Sequence, residues 1–99
     1  MKIPKIDYQP DEDLTDLFER NRDIVFDRFF DCIKFGLDND IEDVIVFELG
    51  ETGFYLEANI QEWAVSLDSC IFYYSMLENY EKCMDCKKLK YEVEQRTKK

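Results

Sequence analysis

Ninety-nine residues, 45% of them apolar and 15% aromatic, can build one domain with a real core and are too hydrophobic for a disordered acidic tail. The 23 Asp and Glu against 13 Lys and Arg leave a net charge of −10, and there is no His. Lack of His removes the usual general base near neutral pH, the commonest metal ligand, and Ser–His or Cys–His catalysis.

The charge is unevenly placed. Residues 1–81 carry 6 cations against 20 carboxylates, and residues 82–99 carry 7 against 3. Between Lys34 and Lys82 there is no cation at all, while 11 carboxylates occur. Such a surface attracts cationic partners and repels phosphate backbones and anionic membranes. The start of the chain shows no apolar signal region, and the longest apolar runs, Val44–Phe47 and Cys70–Tyr74, fall far short of the roughly 20 residues of a membrane span. A cytoplasmic location with four reduced cysteines is therefore expected.

Residues 1–10 read as an N-terminal arm. Pro4 and Pro10 disfavour helix before them, and the arm with its scattered Ile3, Ile6 and Tyr8 either packs on the body, the favoured reading, or serves as a short docking segment. A single domain is expected over 11–95, followed by a basic frayed tail at 96–99. Asp11 after Pro10 is an N-cap for a first helix, and Gly36 is its expected stop. At roughly 100° per residue, Leu14, Leu17, Phe18, Ile24, Val25, Phe29, Cys32 and Ile33 share one face, with Phe26, Phe30 and Leu37 at its border. The opposite face carries Glu12, Asp16, Glu19, Asp23, Asp27 and Asp31, moderated by Arg20, Arg22 and Arg28.

A turn at residues 37–40 leads into a strand, Asp43–Leu49, rich in β-branched and aromatic residues. Gly50-Glu51-Thr52-Gly53 is a hairpin connection, and Phe54–Ala58 returns as a second strand. Asn59 with Glu62 forms a capping box. The helix it opens buries Ile60, Trp63, Ala64, Leu67, Ile71, Tyr74 and Leu77 at helical spacing, with Trp63 and Leu67 central. A bend at Glu78-Asn79 separates it from a last helix, Tyr80 to Gln95, burying Tyr80, Cys83, Met84, Cys86, Leu89 and Val93 under a Lys-rich outer face. The fold class is α+β in the order α-β-β-α-α, a two-stranded antiparallel hairpin packed on helices with a C-terminal helical hairpin. A lone hairpin is marginal, so it must lean on the helices or pair with another chain, and a homodimer is one form of that.

Cys83-Met84-Asp85-Cys86 is a CxxC, and with Cys32 and Cys70 the thiols reach a zinc ligand count. Each lies in phase with an apolar helical stripe, so core thiols are the better account than zinc or redox chemistry, and no metal or cofactor is expected. Asp38-Asn39-Asp40 and Glu42-Asp43 lack the Gly and closing Glu of a calcium loop and read as turn chemistry. No phosphate-binding loop, dinucleotide fingerprint or metalloprotease motif is present, and no enzymatic activity is expected.

The stretch Leu77-Glu78-Asn79-Tyr80-Glu81-Lys82-Cys83-Met84-Asp85-Cys86-Lys87 resembles the UVR motif of the UvrB/UvrC family, a helical hairpin used for protein–protein contact. That family has small Ala-like residues where Cys83 and Met84 stand, and Leu where Cys86 stands. The resemblance implies a pairing surface at the C-terminus and no catalysis.

Asp23, Asp27 and Asp31 form two successive i, i+4 like-charge pairs, each destabilising by a few tenths of a kcal/mol, and stand roughly 6 Å apart along the axis. That spacing imitates a run of backbone phosphates. The expected function is a non-enzymatic interaction protein that docks an acidic face on a basic, nucleic-acid-binding site of a partner protein. The residues expected on that face are Asp16, Glu19, Asp23, Asp27, Asp31, Asp38, Asp40, Glu42 and Asp43. In composition such proteins look like phage or mobile-element inhibitors, anti-defence proteins that mimic nucleic acid. The alternative is a structural or adaptor subunit assembling through aromatic surfaces, its acidity serving solubility only. Direct binding to nucleic acid or membrane is not expected.

Overall fold

A computed structural model describes residues 3–98. The first two residues of the expected arm and the last residue of the expected basic tail lie outside them. Seven elements follow in order: β1 (Lys5–Ile6), α1 (Leu14–Arg20), α2 (Arg22–Asn39), β2 (Asp43–Leu49), β3 (Phe54–Asn59), α3 (Ile60–Met76) and α4 (Tyr80–Thr97). The class is α+β as expected, but the order is β-α-α-β-β-α-α rather than α-β-β-α-α.

The extra strand comes from the arm. Lys5 and Ile6 pair in parallel with Glu48 and Leu49, so the sheet has three strands in the order β1-β2-β3. Gly50 allows this closure. Its φ of +52° suits glycine, and an added Cβ would meet the Tyr8 carbonyl oxygen at 2.6 Å. β2 and β3 form the expected antiparallel hairpin, broken in register between Ile45 and Phe47. The extra residue is a β-bulge at Val46, which shifts the side-chain alternation by one and buries Val46 and Phe47 in succession.

The expected first helix is two helices. Asp13, not Asp11, caps α1, its carboxylate accepting from the Thr15 N–H at 2.9 Å. At Asn21 the side-chain amide donates to the Leu17 carbonyl at 2.9 Å, and the backbone leaves helical angles at φ −126°, ψ 33°. Asn offers the chain this local alternative to helical bonding, which the apolar period does not register. The break reorients the predicted face: Leu14 and Ile24 are exposed while Phe30 and Leu37 are buried.

Gly36 is not a stop. α2 runs on to Asn39 and ends with Asp40 in the left-handed region at φ 57°. Gly36 instead gives room to Trp63, which is fully buried and donates from Nε1 to the Ala58 carbonyl at 3.1 Å. Around Trp63 the core draws Val25, Ile33 and Leu37 from α2, Val44, Val46 and Phe47 from β2, Leu67 and Cys70 from α3, and Cys86, Leu89 and Val93 from α4. The α3 stripe is as expected except at its end, where Leu77 is exposed. In α4, Tyr80 and Met84 are exposed, against expectation, while Cys83, Cys86, Leu89 and Val93 are buried. Among the described residues no helix is long and apolar enough to cross a membrane.

Candidate interaction surface

The nine carboxylates expected on the acidic face are all exposed. They do not form one uninterrupted row. Asp16 and Glu19 ride on α1, beyond the break at Asn21, and Asp23, Asp27, Asp31 and Asp38 lie along α2. Asp40 and Glu42 follow in the connection, and Asp43 begins β2. From Asp23 to the end of α2 the helix covers about 25 Å at 1.5 Å per residue.

Several of the nine have structural duties. Glu19 pairs with Arg22, Asp38 with Lys34 at 3.3 Å, and Asp40 with Arg96 at 3.1 Å. Arg96 also donates to the Leu37 carbonyl at 2.6 Å, which ties the last turn of α4 to the end of α2. Asp43 accepts from Asn59 Nδ2 at 2.8 Å. Asp27 departs most from the solvated row foreseen for it: the Tyr74 hydroxyl, from α3, donates to its carboxylate. Burial and that bond hold the Tyr74 phenol above its ordinary range. Asp16, Asp23, Asp31 and Glu42 have no ion-pair or side-chain hydrogen-bond partner among the described residues.

Arg28 does not moderate the acidic face. Its guanidinium reaches β2, donating from Nε to the Val46 carbonyl at 2.7 Å and from Nη2 to the Ile45 carbonyl at 3.1 Å. These are the carbonyls at the bulge, where ladder partners are lost. One of the three cations expected to offset the row is thus spent on the sheet. Arg20, bonded to Glu12 at 2.8 Å and to the Asp7 carbonyl at 3.2 Å, holds the arm.

A second surface lies on α3 and includes Phe72, an aromatic that the adaptor alternative would place at an interface. Val65, Ser69, Phe72 and Met76 follow one another on α3 at spacings of four, three and four, the seam of a helix pair. Val65, Phe72 and Met76 are 70%, 69% and 62% exposed. They line an open groove of about 540 Å³ between α3 and the α1–α2 corner, with Phe26 and Tyr73 at its base. The same spacing is present in the sequence, but Trp63 and Leu67 on the other side of the same helix form the stronger apolar stripe.

The four thiols are buried and free. Cys32 donates to the Ile45 carbonyl at 3.7 Å, Cys70 to the Phe26 carbonyl at 3.7 Å, and Cys83 to the Ile71 carbonyl at 3.5 Å. Among the described residues no three His, Cys, Asp or Glu converge on a point able to hold a metal ion. The neighbouring Cys86 thiol, then burial, raises the Cys70 thiol. Burial pushes Cys32 up to about 11 from an ordinary 9.0. The folded chain then binds more protons than the unfolded chain between pH 9 and about 11, so stability should fall as pH rises through that window. Urea midpoints at intervals from pH 8 to 11 should show the decline. A Cys32→Ala variant as pH-sensitive as the parent would exclude Cys32 as its source.

Comparison with family models, with curated proteins and with solved structures found no significant match. The likeness of residues 77–87 to the UVR motif rests on those residues alone. Here they form the α3–α4 turn and the first half of α4, which runs unbroken to Thr97.

Proposed function

We propose that this chain is a non-enzymatic interaction protein that docks its acidic surface on a basic site of a partner protein, in the manner of a nucleic-acid mimic. The observation that carries the reading is the set of exposed carboxylates without cations, Asp16, Asp23, Asp31 and Glu42, within a stretch of chain that is net −14 over residues 1–81. On α2, Asp31 stands one turn from Asp27, a like-charge pair that opposes helix formation, while Asp23 also lies in the first turn, where the helix dipole favours a carboxylate. A partner whose basic site ordinarily holds phosphates would find matching charge on this surface, with Asp23 and Asp31 about 12 Å apart along α2 at 1.5 Å per residue.

Affinity for such a partner should fall steeply with salt, because screening weakens both steering and pairing. The partner's own nucleic acid should compete. The triple reversal Asp16→Lys, Asp23→Lys, Asp31→Lys should weaken binding far more than folding, since all three are exposed. Asp27 is left out because its reversal would also remove the acceptor of the Tyr74 hydroxyl. A partner captured from lysate and titrated against salt and nucleic acid makes the measurement. Binding that ignores salt, competitor and the triple reversal would remove this reading. It would leave the adaptor alternative, favoured by the exposed Phe54 and Tyr55 on β3, one of the two edge strands of the sheet.

A further inference from the structure

We infer that the groove along α3 is a receptor for a basic amphipathic helix of the partner; the inference rests on the docking reading above and names the segment that is held. The groove has a helix-pair seam with one helix missing. Val65, Phe72 and Met76 repeat on one line of α3, exposed, over about 17 Å of axis at 1.5 Å per residue. Apolar knobs at this spacing are complementary to a helix with apolar residues at i, i+3, i+4 and i+7.

Charge selects the sign of that helix. Glu19 and Asp68 stand on the groove walls with Arg22, and Asp23 and Asp27 flank the lining residue Phe26 on α2, Asp27 also holding the hydroxyl of Tyr74 beside Tyr73. Two cations answer part of this: Arg22 pairs with Glu19, and Lys90 with Asp68 at 2.7 Å. Asp23 keeps no cation. The Glu19 and Asp68 pairs are exposed, and such pairs are worth little, so an incoming Lys or Arg can exchange with them. An acidic helix would meet uncompensated carboxylates, and an uncharged one would forgo them.

The test uses the whole protein and a fluorescein-labelled Leu/Lys peptide of roughly 18 residues, long enough to be helical, with its leucines on one face. Three comparisons accompany it: a scrambled peptide of equal composition, a Leu/Glu peptide of the same pattern, and the double variant Val65→Ala, Phe72→Ala. Both positions are exposed, so the variant should unfold at nearly the same urea midpoint as the parent. Anisotropy should show binding of the patterned basic peptide, with about tenfold loss on scrambling and about tenfold loss in the double variant. The Leu/Glu peptide should not bind.

Equal binding of the scrambled peptide, or binding of the Leu/Glu peptide, overturns the inference. So does a double variant that binds as the parent does. If that variant binds normally while the triple charge reversal does not, the groove falls and acidic docking stands; if neither matters, both fall. If the free protein sediments as a dimer that Phe72→Ala dissociates, the groove holds a second copy, and a partner helix is ruled out.

Discussion

Leu67→Ala is expected to lower unfolding free energy by about 2–5 kcal/mol, the range for a buried leucine cut back in a packed core. Leu67 is fully buried halfway along α3, between Trp63 and Cys70, which are equally sealed. α2 and α4 both pack on α3, so the walls of the resulting cavity belong to separate elements held by their own contacts. They have little freedom to close in. Val65→Ala, two residues away on the exposed side, should stay within about 0.5 kcal/mol. Urea unfolding of the two variants side by side decides it. A Leu67 loss no larger than that of Val65 would place the helix in the wrong phase.

The second expectation turns on sign. Gly→Ala inside an exposed stretch of helix stabilises by roughly 1 kcal/mol. Gly36→Ala should instead destabilise, by about 1–3 kcal/mol net of that gain, as overpacked cores do. A Cβ here would lie 2.5 Å from Trp63 Cη2 and 3.0 Å from the Ile41 carbonyl oxygen. The indole cannot swing aside freely, because it is fully buried and its Nε1–H is bonded to Ala58. Near-ultraviolet circular dichroism of the single tryptophan, with thermal unfolding, would register both the displacement and the loss. A variant more stable than the parent would show that this contact is absent.

These two residues also mark how far the sequence could be read. Around Trp63 the spacing of apolar residues, the Asn59 cap and the absence of any interrupting residue agree, and α3 emerges as expected. The β2–β3 hairpin was equally legible, since two glycines and β-branched runs act locally. Gly36 was misread because a glycine that ends a helix and one that lets an indole approach look alike until the partner is known. The split at Asn21 hangs on one side-chain hydrogen bond, and β1 is only two residues long. Neither leaves a periodic trace. At the candidate surface, the exposure of the nine acids was readable from polarity. The capture of Asp27 by Tyr74, 47 residues away, and of Arg28 by the bulge could not be read, because both depend on tertiary placement. The α3 groove was readable in its spacing, but a stripe declares itself apolar without saying whether anything covers it.

The parallel strand β1 bears on the order in which the fold opens and closes. Sheet pairing of β2 with β3 and packing of α3 on α4 join segments adjacent along the chain, so their loops are short to close. Joining Lys5 to Glu48 requires a far longer loop, repaid by only two paired residues, the buried Ile6 side chain and the surface contacts of Lys5 and Arg20. The arm is therefore the last piece to settle and the first to leave, a local opening well below the cost of global unfolding. The Glu48 and Gly50 amides, which donate to Pro4 and Ile6 at 3.0 and 2.9 Å, are where deuterium from solvent should enter the central strand first.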